Sequence, residues 1–257
     1  MRLLLLLAAN LTLVATAFAA TRETGFLNRT VTVDGTTYKY VVYVPGNFSP
    51  EKKWPIVLFL HGAGERGEEG SLQTDTGIGT ALRRYPERYP AVVVMPQCRP
   101  NMNWNLPTMQ AQALAALEQS STEFNGDPDR TYLTGLSLGG YGTWGLAQAK
   151  PGKFAAIAPI CGGVVPPPGA RGVLPQNTEE DPYNAAAKRI GKVPTWIFHG
   201  EADPTVPATE SQKMQVAMKA LGGDVHYSEY HGVGHNSWDK AYADPDFPRW
   251  MFSQKLK

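Results

Sequence analysis

Thr131-Tyr132-Leu133-Thr134-Gly135-Leu136-Ser137-Leu138-Gly139-Gly140 is the stretch that decides the fold. A short β-prone run, Thr131 to Thr134, leads into Gly-x-Ser-x-Gly, and the helical segment Leu138 to Lys150 begins directly behind it. A chain that passes from strand to helix this abruptly holds the residue at the bend in a strained conformation. Gly135 and Gly139 lack the Cβ atoms that would collide there. The side chain of Ser137 is therefore expected above the end of a strand, with the amino end of a helix behind it.

Outward from this bend, the chain alternates between two patterns. Continuous apolar runs at Pro55 to Leu60, Ala91 to Met95, Thr131 to Thr134, Phe154 to Ile160, Thr195 to Phe198 and Val225 to Tyr230 suit strands buried on both faces. Helical segments lie between them, at Met109 to Gln119, Leu138 to Lys150, Pro182 to Ile190 and Thr209 to Leu221, the last closed by Gly222-Gly223. From Phe26 to Val44, two alternating stretches flank Asp34-Gly35, which favours a tight hairpin. The sum is a three-layer α/β fold over residues 20–257, with a mostly parallel sheet, an antiparallel N-terminal hairpin and no large lid domain.

In such a sheet ligands bind beyond the carboxyl ends of the strands. There the chain places His61-Gly62-Ala63-Gly64, Gly135 to Gly139, His199-Gly200-Glu201-Ala202-Asp203 and His231-Gly232-Val233-Gly234-His235. A serine hydroxyl attacks well only with a base in reach and an acid to orient that base. His235 is the expected base, because it lies in a glycine-flexed loop late in the chain. His61 and His199 sit in His-Gly pairs that commonly tie loops together, and His226 alternates along a strand. His231 and His235 stand four apart, but Gly232 and Gly234 disfavour a helix between them and no His-Glu-x-x-His is present, so no metal is expected. Asp203 is the expected acid, with Glu201 as its competitor. The oxyanion that forms at an attacked carbonyl needs two N–H donors, assigned to Leu138 and Ala63.

Composition excludes other classes. Lys+Arg at 24 against Asp+Glu at 23 leave a formal charge of +1 in 257 residues, and no basic cluster fit for nucleic acid appears. Arg2, the apolar run from Leu3 through Val14 and the small residues of Ala17-Phe18-Ala19 read as a signal peptide over 1–19. This predicts a secreted or periplasmic protein with no stable membrane insertion after cleavage. Cys98 and Cys161 each follow a strand, and with two other strands between these their ends lie roughly 14 Å apart, so they are expected as separate buried thiols rather than a disulfide.

Leu60-His61-Gly62-Ala63-Gly64-Glu65-Arg66-Gly67, Asp127 through Ser137 and Gly234-His235-Asn236-Ser237-Trp238, in that order, make the chain resemble the α/β-hydrolase superfamily. Within it the likeness is to secreted esterases of the dienelactone hydrolase, feruloyl esterase and polyhydroxybutyrate depolymerase neighbourhood, including a group labelled predicted peptidases or phospholipase/carboxylesterase-like proteins. The resemblance implies a serine esterase working through Ser137, His235 and Asp203 and an acyl-enzyme. Its substrate would be a small-molecule or polysaccharide-linked ester with a short or aromatic acyl group, and no cofactor is needed. A serine peptidase and a non-catalytic binding protein on the same fold are the alternatives. Val164 to Asn177 is longer than its counterpart in compact members and is expected to overhang the nucleophile, with Trp104 and Trp238 as candidate pocket walls. Glu65 and Arg66 are left as either substrate grips or a surface pair.

Overall fold

The computed structural model describes residues 23–166 and 180–256. Among these, eight strands form one sheet: β1 (Gly25–Val33), β2 (Thr36–Val44), β3 (Trp54–Leu60), β4 (Val92–Pro96), β5 (Gly126–Leu136), β6 (Ala156–Ile160), β7 (Thr195–Gly200) and β8 (Val225–Tyr230). Their spatial order is β1-β2-β4-β3-β5-β6-β7-β8. The β1–β2 and β2–β4 pairs are antiparallel and all others parallel. The hairpin turns at Asp34 and Gly35, whose φ values of 49° and 76° are the two positive angles that a tight I′ turn demands.

Two-residue periodicity divides the apolar side chains between the faces of the sheet. Ile56, Leu58 and Leu60 of β3 join Val92, Val94, Leu133, Ile157 and Ile197 on one face. That face is covered by α2 (Pro107–Glu123), α3 (Leu138–Ala149), α4 (Pro182–Ile190) and α5 (Thr209–Ala220). Val57 and Phe59 join Val93, Met95, Tyr132 and Phe198 on the other, beneath α1 (Ile78–Arg84), α6 (Trp238–Ala243) and α7 (Asp246–Ser253). Strands buried on both sides need apolar residues at every position, which is why β3 and β4 read as unbroken runs.

Three differences from the sequence reading have local causes. Helices α1, α6 and α7 were not anticipated; they are only 7, 6 and 8 residues long, too short to display a helical period. Strand β5 begins at Gly126, not Thr131, and passes Pro128 by a register shift against Trp54 and Ile56 of β3. There the Asp127 carboxylate accepts the Asp129 N–H and the Arg130 Nε–H, at 3.1 and 2.7 Å, which holds the irregular turn. Strand β6 starts two residues later than the run from Phe154 indicates. No helix among the described residues is long and apolar enough to cross a membrane, and residues 1–19 lie outside them.

Leu58 is wholly buried at the centre of the sheet. Leu58→Ala should lower unfolding free energy by about 2–5 kcal/mol, read as a lower midpoint in urea denaturation with an unchanged slope.

Candidate active site

Ser137 is the hinge between β5 and α3. Its φ of 53° and ψ of −116° are strained for any residue with a side chain. Close packing imposes that strain: a Cβ on Gly139 would run into the carbonyl oxygen of Leu60, and one on Gly135 into that of Gly139. The bend therefore lies directly against the end of β3. The Ser137 N–H donates to Ile160 O at 2.9 Å, which fixes the elbow to β6 as well.

The other two side chains come from the ends of β7 and β8. Ser137 Oγ lies 2.8 Å from His235 Nε2, and His235 Nδ1 lies 2.7 Å from Asp203 Oδ2. With Nδ1–H donating to the carboxylate, Nε2 is left free to accept the serine proton. The two loops are bound to each other through Glu201 N–H to Tyr230 O at 3.0 Å and Ala202 N–H to Val233 O at 2.9 Å. A Cβ on Gly200 would strike the Val233 and Gly234 carbonyls, so the His-Gly pair that ends β7 is what lets the loops meet.

Glu201 faces away from His235. Its Oε2 accepts the Gly232 N–H at 3.0 Å and pairs with His231 Nδ1 at 2.5 Å, on the exposed side of the loop. Asp203, in contrast, has a fully buried side chain. Burial by itself would raise its pKa, but hydrogen bonds from His199, His235 and the Val206 and Thr205 N–H groups outweigh this and hold the carboxyl well below the usual range.

Ala63 opens a single 3₁₀ turn, Ala63–Glu65, just after β3, and Leu138 is the first residue of α3. First-turn N–H groups have no partner inside their own helix. A Cβ on Gly62 would lie 3.7 Å from that of Ser137, so the Ala63 loop stands beside the serine. His61 supports this loop from within: it is wholly buried, donates Nδ1–H to Gly62 O at 2.6 Å and accepts the Cys98 N–H on Nε2 at 2.9 Å. Trp104, expected as a pocket wall, is 1% exposed, with its indole N–H on His61 O at 2.9 Å. It stands behind the loop. Trp238 is half-buried and sets its ring edge-to-face on His235 at 5.4 Å.

Arg66 donates to Ala63 O and Met102 O, at 3.0 and 3.2 Å, and thereby clamps the loop. Half-burial raises the pKa of Glu65. His226 is exposed on β8 and packs on Trp196 and Trp250. Cys98 and Cys161 are free, buried thiols. Cys161 Sγ lies within 4.8 Å of the Asp203 and His235 ligand atoms, but those two bind each other, and burial pushes the thiol pKa far up. Of the Val164 to Asn177 stretch, the Val164 and Val165 N–H groups are held by Glu210 Oε2 at 3.2 and 3.1 Å; residues 167–177 lie outside the described residues.

A mostly parallel eight-stranded sheet with an antiparallel hairpin, helices on both faces and a serine at a strand-to-helix elbow defines the α/β-hydrolase fold. The chain belongs to the dienelactone hydrolase family, whose model matches residues 100–244. It is 26% identical over 211 residues to a poly(3-hydroxyalkanoate) depolymerase C of Paucimonas lemoignei, covering 70% of this chain and 45% of that protein. A solved thermostable esterase is 33% identical with a TM-score of 0.74, covering 90% of this chain and 63% of the other. The fold is shared also with a feruloyl esterase module from Clostridium thermocellum solved with sinapinate, at 19% identity and a TM-score of 0.66, covering 90% and 89%. The chain spans about half the length of the curated relatives it matches.

Burial holds the His61 imidazole at about 4, against 6.5 for the free group. The folded protein takes up this proton less readily than the unfolded chain, so stability is full above about pH 6.5 and falls as pH drops towards 4, by roughly 3 kcal/mol. Urea unfolding at several pH values should show this decline in the wild type and a shallower one in His61→Asn. Equal slopes would place its source elsewhere.

Proposed function

We propose that the protein is a serine esterase that hydrolyses carboxylic esters through Ser137, His235 and Asp203. The observation that carries this reading is the unbroken hydrogen-bond chain from a strained serine to a buried carboxylate, at the end of the sheet where ligands bind in this architecture. Ser137 Oγ attacks the ester carbonyl carbon as its proton passes to His235 Nε2. Asp203 stabilises the imidazolium, and the Ala63 and Leu138 N–H groups receive the oxyanion. Collapse breaks the bond to the alcohol oxygen, which leaves with the proton from His235. Water, deprotonated by His235 in turn, releases the acid from the acyl-serine.

The family and the names of the relatives support an ester rather than an amide as substrate. Short or aromatic acyl groups, free or attached to a polymer or polysaccharide, fit a site formed by strand-end loops. Export is part of the same proposal. The apolar run from Leu3 to Val14, followed by Ala17-Phe18-Ala19, supports a signal peptide over 1–19 and a secreted or periplasmic enzyme over 20–257.

Ser137→Ala should abolish turnover of p-nitrophenyl acetate and labelling by a fluorophosphonate, with thermal unfolding unchanged. A wild type that neither turns over esters nor takes the label, or a variant that does either, defeats the assignment; cleavage of peptides in preference to esters would make it a peptidase.

Asp203→Asn should lower kcat by about 10³–10⁴ by presenting the wrong His235 tautomer, whereas Glu201→Gln should stay within a few-fold of the wild type. The reverse order in steady-state kinetics would reassign the acid.

A further inference from the structure

Asp203 is shared by two imidazoles. His235 holds its Oδ2 from the solvent side. From the interior, His199 places Nε2 3.3 Å from the same oxygen and 3.0 Å from Val206 O. The tautomer of His199 follows from its neighbours. Val206 O and the Asp203 carboxylate are both acceptors, so Nε2 carries the proton. Nδ1, 2.7 Å from Ser211 Oγ, then accepts the hydroxyl proton of that residue. The result is a five-member chain, Ser137–His235–Asp203–His199–Ser211, in which a second serine–histidine pair faces the first across one carboxylate.

An ionised carboxylate has about four lone-pair positions to fill. Asp203 Oδ1 takes the Thr205 and Val206 N–H groups at 2.8 and 2.9 Å, and Oδ2 takes His235 and His199. Both His199 and the Asp203 side chain are fully buried, so bulk water has no direct access to replace a missing donor. The positive end of the His199 N–H dipole points towards the carboxylate that would stabilise a protonated His235. It satisfies part of the Asp203 charge from the protein side, and so competes with the imidazolium for it.

We propose that His199 is a positioning residue: it completes the hydrogen bonding of Asp203 and lowers the pH at which His235 becomes a free base. The role rests on the reading of Ser137, His235 and Asp203 given under Proposed function. Other titratable groups around the pair leave this role to His199. Cys161 beyond β6 and Tyr141 on α3 have pKa values raised by burial and stay neutral at working pH. Glu210 on α5 is engaged by Tyr183 and by the Val164 and Val165 N–H groups. Glu229 on β8 is bound by Tyr227 and Gln212, which keep its pKa below the ordinary value. Glu201 and His231 pair on the exposed side.

The test replaces His199 by Phe, which fills the space without a donor, and by Gln, which restores an N–H near the position of Nε2. Two readouts are taken: the acid limb of kcat/KM against pH with p-nitrophenyl acetate, and the His235 titration followed by NMR in a Ser137→Ala background, which needs no turnover. In His199→Phe both should move up by about half to one pH unit, the scale of one shared hydrogen bond to a charged group. In His199→Gln they should return towards the wild type. If the Phe variant does not fold, Ser211→Ala, which loosens the tautomer of His199, should raise the acid limb by a smaller amount. An acid limb and NMR titration that stay in place while only thermal stability falls would make His199 a structural tie and overturn the proposal, as would equal shifts in the Phe and Gln variants. Absence of turnover in the wild type together with a responsive His235 titration would defeat the esterase reading alone.

Discussion

The contact on which the rest of the structure depends is between backbones, at the elbow where β5 becomes α3. Gly139 lies against the Leu60 carbonyl with no room for a side chain, and Ser137 is held in a conformation that an unsupported chain would leave. The strain persists because two strands and a helix over-determine it. Strand β3 presses from one side, β6 binds the Ser137 N–H from the other, and the buried face of α3, with Leu138, Trp144 and Leu146 in the core, anchors the helix. Loss of any of these would let the serine relax into the ordinary helical or extended regions and carry its hydroxyl away from His235.

The same device recurs at the second meeting point. Gly200 lets the loops after β7 and β8 pass within backbone contact, and two hydrogen bonds between them set the spacing of Asp203 and His235. The proposed catalytic geometry is thus a property of how parallel strand ends pack. The side chains then need only ordinary rotamers to meet. Around them, His61, His199 and Trp104 are all buried, and each has its hydrogen-bonding atoms engaged. Such matching stiffens the loops at the site, because any displacement would leave a buried donor or acceptor unpaired.

Much of this is legible in the amino-acid sequence. The continuous apolar runs identified the parallel strands because a strand covered on both sides has no polar positions, and Asp34-Gly35 identified its hairpin because both residues tolerate positive φ. Ser137 stands out because Gly135 and Gly139 flank it for steric reasons that sequence displays directly, and His235 because it lies in a glycine-flexed loop late in the chain. The short helices α1, α6 and α7 were not legible, since six to eight residues hold too few turns to reveal a period. Trp104 could be read as core or as pocket wall, and only its indole bond to His61 O decided. Along the chain Asp203 is preferred to Glu201 only because it stands further past the strand end; which of the two meets His235 is set by loop packing.

By itself, the sequence determined the alternating α/β plan, the strand-end placement of each chemically active segment and the strained serine, all of which follow from local sterics and the periodicity of burial. Only the tertiary structure showed that His235 and Asp203 meet the serine in one line, and that His199 contacts the same carboxylate. These depend on residues up to 98 positions apart meeting within a hydrogen bond, and such a meeting is set by strand order and loop packing, neither of which any short stretch of the chain encodes.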